Sequence, residues 1–223
     1  KDGKSHLNAY LDDYAFLLDS LIEMLQADFR QSDLDFAQAL AEVMLNQFED
    51  KHLGGFFFTS HDHEKLIHRP KVGPDIAIPS GNGVAAIALQ RLGYLLGENR
   101  YLQAAERTLN LFYSEMLHHP SVYCSLLVAL EEWLTPPKMI ILRGDKTSMN
   151  EWWWQIKSKI PYTFVIALPM ELTGLPDSLN KPKPVNNEVN AWVCQGEKCL
   201  SEITDLQELL QVCKDEGKMM FPL

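Results

Sequence analysis

The sequence predicts a mainly helical protein that ends in a small α/β segment. Apolar residues recur at intervals of three and four along residues 1–135, which is the spacing of amphipathic helices. Pro136 and Pro137 interrupt this pattern, and the apolar runs that follow them are short and rich in isoleucine and valine, as in strands. We therefore expect helical hairpins over residues 1–135 and a small α/β segment, packed on them, over residues 136–223.

Five helices are predicted in the first part. Asp33 and Ser80 stand where a side-chain oxygen would cap the second and third helices, and Gly97 ends the third. The predicted helices cover residues 7–29, 33–50, 80–97, 102–116 and 122–133. After the second helix, the double glycine Gly54-Gly55 opens a long loop. Loops of that length are more often functional than merely connecting.

Strands and helices alternate in the second part. The predicted strands cover residues 139–142, 162–168 and 189–194, and the predicted helices cover residues 149–157 and 206–213. The first three of these elements follow the order strand, helix, strand, which is typical of a βαβ unit. Proline, asparagine and lysine are frequent over residues 174–188, as in surface loops, and the tail over residues 215–223 shows no usable pattern.

The composition bounds the class of protein. Apolar residues make up 46% of the chain and charged residues 22%, which is ordinary for a globular protein. The net charge of −10 disfavours nucleic acid as a partner, because phosphate binding needs clustered lysine and arginine. The chain has neither an apolar run long enough to cross a membrane nor the layout of a secretion signal at its start, so we expect a cytoplasmic protein without a membrane partner. The first residue is not Met, which suggests a piece of a longer protein.

The cysteines do not indicate a disulfide framework. Four cysteines, Cys124, Cys194, Cys199 and Cys213, are few for a chain of 223 residues, so reduced thiols are expected. Cys194 and Cys199 enclose four residues, a spacing that is neither that of redox motifs nor that of a zinc knuckle. We interpret this pair as structural thiols on either side of a turn.

The segment from Gly54 to Asn82 is the best candidate for a site. It joins aromatic residues, imidazoles, carboxylates and cations between two helices, where polar groups can converge on a cavity. The candidate acid/base residues are Asp13, His61, Asp62, His63, Glu64 and Asp75. The candidate ligand-binding residues are Tyr14, Arg69, Lys71, Ser80 and Asn82.

Asp13 lies on the first predicted helix rather than in the loop. Adjacent helical positions point in different directions, so at most one of Asp12 and Asp13 faces inward. An inward carboxylate must be paired or face a solvated cavity, because a lone buried charge is costly. We expect Asp13 to be the inward residue and Asp12 to lie at the surface.

The loop histidines and cations leave several interpretations open. His61 and His63 could bind one metal ion, line a polar pocket for a sugar-like ligand, or lie in a solvated loop. The sequence supplies no obvious third metal ligand, and we predict no metal site. Arg69 and Lys71 flank a proline that favours extended backbone, so both could face an anionic ligand or neutralise Asp75 and Glu64.

The start of the third helix also has two interpretations. Ser80 can cap free backbone amides, which is a structural role. The exposed amides and Asn82 could instead hold a hydroxyl-rich or anionic ligand at the positive end of the helix. No nucleophile motif of the form Gly-x-Ser-x-Gly surrounds Ser80, so we do not expect it to act as a nucleophile.

Several ordered motifs resemble those of the YyaL family, also called the spermatogenesis-associated, thioredoxin-domain-containing family. The similarity runs from about residue 7 to residue 213, and the motifs are specific in combination. They are Asp13-Tyr14-Ala15-Phe16, Gly54-Gly55-Phe56, Leu66-Ile67 with Arg69 and Lys71, Pro79-Ser80-Gly81-Asn82, and the stretch from Ala191-Trp192-Val193-Cys194 to Cys199-Leu200. Two positions depart from many relatives, which have Asp in place of Phe58 and Gly in place of Ile76.

The resemblance implies an architecture larger than this chain. Family members carry an amino-terminal thioredoxin-like domain, followed by an (α/α)6 barrel related to N-acylglucosamine 2-epimerases and six-hairpin glycosidases. The matched region looks like the carboxy-terminal part, with a partial (α/α)6 toroid followed by the α/β segment. A partial toroid leaves apolar edges open, so a homodimer through those edges is expected, or a cover from the rest of the parent protein.

Two functions of different class remain open at this point. The first is acid/base chemistry on a sugar-like substrate by an enzyme of the epimerase or glycosidase type, which needs carboxyls or imidazoles facing one funnel. The second is a non-catalytic scaffold or interaction module for the absent thioredoxin-like domain, which predicts loop residues engaged in internal ion pairs. We expect no cofactor, because the sequence has no phosphate-binding loop, dinucleotide fingerprint or dense Cys/His cluster.

Overall fold

A computed structural model describes residues 8–64, 66–161, 163–185 and 188–214 of the chain. Within these residues the protein is about half helical and carries one small mixed sheet, which confirms the predicted order of helices followed by an α/β segment. The helices are α1 (Leu11–Ala27), α2 (Gln31–Val43), α3 (Gly81–Leu96), α4 (Asn99–His118), α5 (Cys124–Leu134), α6 (Lys146–Lys159) and α7 (Leu206–Lys214). The strands are β1 (Lys138–Gly144), β2 (Phe164–Pro169), β3 (Val189–Gln195) and β4 (Lys198–Cys199).

The helix ends differ from the prediction by a few residues at several places, and two short turns were not predicted. Helix α2 continues as a π-helical turn, Met44–Phe48, and a 3₁₀ turn, Pro120–Val122, precedes α5. Leu7, Tyr162 and the tail over residues 215–223, which the predictions included, lie outside the described residues. No helix of the described chain is both long enough and apolar enough to cross a membrane.

The chain forms two compact units. The first comprises Lys1–Glu23, Gln31–Gly93 and Glu98–Thr135, and the second comprises Met24–Arg30, Tyr94–Gly97 and Pro136–Leu223. The last turns of α1 and α3 therefore belong to the second unit. Buried Gln26 shows why, because its side-chain oxygen accepts hydrogen bonds from the backbone N–H of Val165 and from the ammonium of Lys157.

Helix α3 is largely buried. Most of its residues are small or aliphatic, which lets neighbouring segments approach closely. The buried side-chain amide of Gln90 donates to the carbonyl of Ala129 at 3.0 Å, linking α3 to α5. On a second pair of helices, Glu42 of α2 accepts hydrogen bonds from Arg100 and Tyr101 of α4. Burial and the hydrogen bond to Glu42 raise the pKa of Tyr101.

The second unit is built on a four-stranded sheet with the order β2-β1-β3-β4. Strands β1 and β2 are parallel and joined by α6, which confirms the predicted βαβ unit, and β3 runs antiparallel to β1. One face of the sheet packs against α6 and α7. This core contains Ile140, Leu142, Met149, Ile156, Val165, Val193, Leu209 and Leu210.

The prediction of reduced thiols is wrong for Cys194 and Cys199, which form a disulfide. Strand β4, which the sequence analysis missed, pairs with β3 so that these two residues stand directly opposite each other. Gly196 makes this possible, because it adopts a φ of 60° in the two-residue turn between the strands. Cys124 and Cys213 are free thiols.

Substitutions at two glycines with positive φ can separate the cost of backbone strain from the cost of steric overlap with neighbouring atoms. Replacing Gly54 (φ 82°) by alanine would put a Cβ atom 2.3 Å from the backbone oxygen of Arg107. At Gly174 (φ 72°) the added atom would meet nothing within 4 Å. We expect Gly174→Ala to cost about 1 kcal/mol, from the left-handed backbone alone. Gly54→Ala should cost about 3 kcal/mol, because overpacking adds to the strain.

Urea unfolding of the two variants measures this difference in the free energy of unfolding. Each variant is followed by a signal from the unit that carries its substitution. Intrinsic fluorescence and circular dichroism report whether each variant keeps the native fold before denaturant is added. Equal losses for the two variants would show that the Gly54 turn does not lie close to the Arg107 backbone.

Candidate functional site

The double-glycine turn is fastened by an ion pair. The ammonium of Lys71 lies 2.6 Å from Oδ2 of Asp50 and 2.8 Å from the carbonyl oxygen of Gly54. Asp50 also accepts hydrogen bonds from the backbone N–H groups of His52 and Leu53. The hydrogen bonds from Lys71 and from these amides lower the pKa of Asp50 to about 2. Lys71 therefore closes the turn by pairing with Asp50, and not with Asp75 or Glu64 as the sequence analysis considered.

Asn82 joins the two ends of the loop to helix α3. Its side chain is fully buried, and its Oδ1 accepts the backbone N–H of Phe56 at 2.7 Å. Its Nδ2 donates to the carbonyl oxygens of Phe56 at 3.0 Å and Val72 at 2.9 Å. Both donor hydrogens of the amide are thereby used. The side chain acts here as a structural link, and it has no spare donor for a ligand.

Asp75 caps two helices at once. Its Oδ1 accepts the backbone N–H of Ser80, the residue before α3, at 2.8 Å. Its Oδ2 accepts the backbone N–H of Ser125, in the first turn of α5, at 2.9 Å, and the Ser125 hydroxyl also donates to Asp75. Ser80 in turn accepts the N–H of Gly83 on its own hydroxyl, as predicted for a cap. These bonds satisfy amides that would otherwise be buried without partners.

Arg69 points back into the loop. Its guanidinium lies 4.2 Å from the ring centroid of Phe57 and donates to the carbonyl oxygen and the hydroxyl of Thr59. The cation is thus held by a cation–π contact and by hydrogen bonds. The predicted neutralisation of Asp75 or Glu64 by Arg69 is not observed.

The histidine segment lies apart from these contacts. His61, Asp62 and Glu64 are exposed. His63 is half-buried with its ring 5.9 Å from that of Tyr10, and its Nδ1 has no hydrogen-bond partner among the described residues. No group of three histidine, cysteine or acidic residues in the described chain is placed to hold a metal ion. The groove that Asp75 lines, described below, contains none of these four residues.

The prediction for the two aspartates at the start of α1 is reversed in the structure, since Asp12 is the more buried and Asp13 the more exposed. Asp13 is exposed and accepts the backbone N–H of Tyr10 at 2.8 Å, so it caps its own helix. Asp12 is half-buried, and a Cβ atom added to Gly81 would lie 2.1 Å from its Oδ1. Burial and the neighbouring Asp13 charge raise the pKa of Asp12. The ring of Tyr14 packs on that of Phe48 at 5.2 Å.

The first unit contains a groove of about 750 Å³. The second half of the loop forms one wall, and parts of α1, α3 and α5 form the others. Its lining is mainly apolar and comprises Phe16, Asp19, Asp75, Ile76, Ala77, Ile78, Pro79, Val84, Ile87, Ser121, Val122, Cys124, Ser125 and Val128. Ile76 is 85% exposed and Ile78 is 51% exposed, so two large apolar side chains of the wall face solvent.

One ionisable cluster borders this groove. Arg91 of α3 binds Glu132 of α5 at 2.7 Å, Glu23 of α1 at 3.1 Å and Asp19 of α1 at 3.6 Å. Three carboxylates therefore share one guanidinium. Burial raises the pKa of Asp19. The positive charge of Arg91 opposes this rise, and the negative charges of Glu23 and Glu132 add to it.

The sequence analysis did not select this cluster. Asp19 follows Asp12 by seven residues, which is close to two helical turns and puts both on one side of α1. Arg91 stands alone in an apolar helix, where a charge must find partners. Both signals are present in the sequence.

These observations define a class of protein: a helical unit with a mainly apolar groove bordered by acidic residues, and a second unit with a small mixed sheet. No family profile matches the sequence. The chain is similar to spermatogenesis-associated protein 20 of Rattus norvegicus, with 26% identity, and of Homo sapiens, with 25% identity, in both cases over 90% of the chain. It is also 22% identical, over 94% of its length, to an uncharacterized protein of Caenorhabditis elegans.

The chain covers only part of each relative. It spans 26% of the length of the rat and human proteins and 29% of the nematode protein. The distant similarity supports the resemblance to the spermatogenesis-associated, thioredoxin-domain-containing family.

The double cap at Asp75 predicts a large structural effect. Replacing Asp75 by alanine removes acceptors from the first turns of two helices. Each lost cap costs about 1 kcal/mol, so we expect a loss of about 2 kcal/mol in the free energy of unfolding. Asp62→Ala, an exposed change in the same loop, should alter stability by less than about 0.5 kcal/mol. Urea titration of both variants checks the difference, and similar losses would refute the capping role.

The ion pair at Asp50 predicts a dependence of stability on pH. The folded pKa of Asp50, about 2, lies below its ordinary value of 3.8. The ionised form therefore stabilises the fold above about pH 4, and this contribution is lost as the pH falls through 2. We expect Asp50→Asn to be less stable than the natural chain at pH 7, with the difference shrinking towards pH 2.

Denaturant unfolding at a series of pH values from 7 to 2 measures this convergence. Asp62→Asn serves as the control, because the exposed Asp62 should show no such pattern. A constant difference between Asp50→Asn and the natural chain across this range would contradict the assignment.

Proposed function

We propose that the first unit is a non-catalytic binding module whose groove receives a basic amphipathic helix. The observation that carries this proposal is the use of the loop's polar side chains inside the fold. Asp75, Asn82 and Lys71 all make internal hydrogen bonds that leave the groove wall to isoleucine side chains. This favours the scaffold function over acid/base chemistry in the loop.

The apolar wall supports a helix as the occupant. Ile76, Ile78, Val122 and Val128 are all partly or largely exposed around the groove. Burial of such side chains contributes roughly 25 cal/mol for each Å² of apolar surface removed from water. A helix with apolar residues on one face fills grooves of this kind in other proteins.

The charge at the edge supports a basic helix. Asp19, Glu23 and Glu132 carry three negative charges against the single positive charge of Arg91. Asp19 lines the groove, and burial raises its pKa, with the charges of Glu23 and Glu132 adding to the rise. A lysine or arginine from the occupant would supply the missing compensation.

The occupant that we propose is a helix from the part of a longer protein that the relatives have and this chain does not span. The rat and human relatives are nearly four times as long as the matched region, since it covers 26% of their length. In the partial (α/α)6 toroid that the resemblance implies, a neighbouring hairpin would close the open edge. The thioredoxin-like domain and a second copy of this chain are the competing occupants.

A second candidate function is acid/base chemistry on a sugar-like ligand in the same groove. The observation that favours it is Asp19, a half-buried carboxyl with a raised pKa on a concave surface, which is how a general acid is prepared. A glycosidase needs two available carboxyls. The other carboxyl in the groove, Asp75, is occupied by three hydrogen bonds.

Binding of designed peptides tests the proposal directly. A fluorescein-labelled helical peptide of leucine and lysine should bind the chain, and a matched peptide of leucine and glutamate should bind at least tenfold more weakly. The double variant Ile76→Ser/Ile78→Ser should weaken binding of the lysine peptide about tenfold, from lost apolar burial. Ile67→Ser is the matched control, because Ile67 is an exposed isoleucine of the same loop that does not line the groove.

Four results would contradict the proposal. Equal binding of both peptides would refute the role of charge in binding. Equal effects of Ile67→Ser and the double variant would refute the groove as the binding site. Calorimetry with monosaccharides and amino sugars would replace it with the second candidate if a sugar bound and Asp19→Asn abolished that binding. A dimer in light scattering that the double variant dissociates would identify a second copy as the occupant.

A further inference from the structure

We propose that Cys194 and Cys199 form an exchangeable dithiol/disulfide site, with Cys199 as the reactive sulfur and Cys194 as its buried partner. The site lies on the β3–β4 hairpin of the second unit and goes beyond the binding module proposed above. The ligand class is a dithiol or a disulfide that can approach the edge of the sheet.

The two sulfurs differ in their access to solvent. β4 is the edge strand of the sheet, and its Cys199 is exposed. Cys194 lies on β3, between β1 and β4, and is only 6% exposed. An incoming thiolate can therefore reach the sulfur of Cys199 but not that of Cys194. One exposed and one buried sulfur is the asymmetry that separates an attacking cysteine from a resolving one.

A cation stands beside the exposed sulfur. The ammonium of Lys181 lies 3.7 Å from the Sγ atom of Cys199. A positive charge at this distance favours the thiolate, which is the nucleophilic form of cysteine. Lys181 is half-buried, and burial lowers its pKa. A thiolate at Cys199 would offset this effect by favouring the ammonium, so the two groups stabilise each other's charge once the disulfide is open.

The hairpin does not depend on the disulfide alone. The backbone N–H of Leu200 donates to the carbonyl of Val193 at 2.8 Å, and Ala191 and Ile203 exchange two backbone hydrogen bonds. The disulfide joins residues that are five positions apart, and bridges that close short loops restrict the unfolded chain least. We therefore expect the reduced hairpin to keep its place in the sheet, as an exchange site requires.

The exchange proceeds in two balanced steps. One thiolate of a dithiol attacks Sγ of Cys199, a bond forms between these two sulfurs, and Cys194 leaves as a thiolate that takes up a proton. The second thiol of the reductant then loses its proton and attacks the reductant sulfur of the mixed disulfide, releasing Cys199 as a thiolate beside Lys181. Two electrons pass from the dithiol to the protein, and the dithiol becomes a disulfide. The reverse sequence oxidises the protein with a substrate disulfide.

Alkylation rates test the assignment of roles. The full chain with Cys124→Ser and Cys213→Ala is reduced with dithiothreitol, freed of reductant and exposed to limiting iodoacetamide at pH 6 to 10, and each cysteine is followed by mass spectrometry. We expect Cys199 to react at least tenfold faster than Cys194 at pH 7, with a midpoint below about 8.5, the ordinary thiol value. Equal rates for the two cysteines would overturn the proposal.

The lysine has a matched control in the same loop. Lys181→Gln should slow alkylation of Cys199 at pH 7 several-fold and move its midpoint upward, and Lys181→Arg should restore both. Lys183→Gln removes the same charge two residues away and should change neither, because Lys183 is exposed and has no recorded contact with Cys199 among the described residues. Equal effects of Lys181→Gln and Lys183→Gln would show that Lys181 has no specific role.

Trapping tests the exchange itself. With Cys194→Ala, incubation with oxidised glutathione should leave one glutathione on Cys199, and the natural reduced chain should instead return to its internal disulfide. Circular dichroism verifies that each variant is folded. If dithiothreitol opens the disulfide only after the chain is unfolded, the bond is purely structural and the proposal is wrong.

Discussion

The first unit depends on the satisfaction of backbone amides at two buried helix starts. Helices α3 and α5 begin close to each other, and the first turn of any helix leaves backbone N–H groups without intrahelical partners. Water cannot solvate them here, because Ser80 and Ser125 are buried. Asp75 supplies acceptors to both starts, and Ser80 supplies a third to Gly83. The long loop exists in this form because it must deliver these acceptors.

This constraint limits what the loop can do chemically. A side chain whose hydrogen-bonding capacity is used inside the fold cannot also bind a substrate without breaking those bonds. Asn82 and Asp75 are in this position, and Lys71 is held by Asp50 and Gly54. The ionisable groups that could pair with a partner's charge lie elsewhere, in the Asp19 cluster at the edge of the groove. In the proposed module, the polar side chains Asp75, Asn82 and Lys71 thus serve the fold, and the charges available to a partner lie on the helices.

The elements were largely predictable from the sequence, because the periodicity of apolar residues follows directly from which side chains are buried. The cap at Ser80 was also predictable, since serine before a helix has few other roles. The pairing of Lys71 with Asp50 was not, because it depends on the tight turn at Gly54 bringing together residues that are far apart in the chain. Helical spacing alone could not show which of Asp12 and Asp13 faces inward, since the exact start of α1 decides which of them caps the helix.

The cysteine pair was misjudged for a similar reason. Its spacing fits no known motif, and only the pairing of the two-residue strand β4 with β3 places the sulfurs within bonding distance. A strand that short has no periodicity to detect. The turn glycine, Gly196, was the one available signal, because a glycine between two cysteines at this separation permits a tight hairpin.

The two proposed sites use charge in opposite ways. At the groove, three carboxylates share one cation, so the proposed partner is a cation, and burial raises the pKa of Asp19. A cation arriving there would lower this pKa, and binding would therefore strengthen as the pH rises through it. At the hairpin, Lys181 lies beside the disulfide, and in our proposal opening the bond creates a thiolate next to this cation. The first proposed site thus needs a partner's charge, whereas the second needs only a change in its own oxidation state.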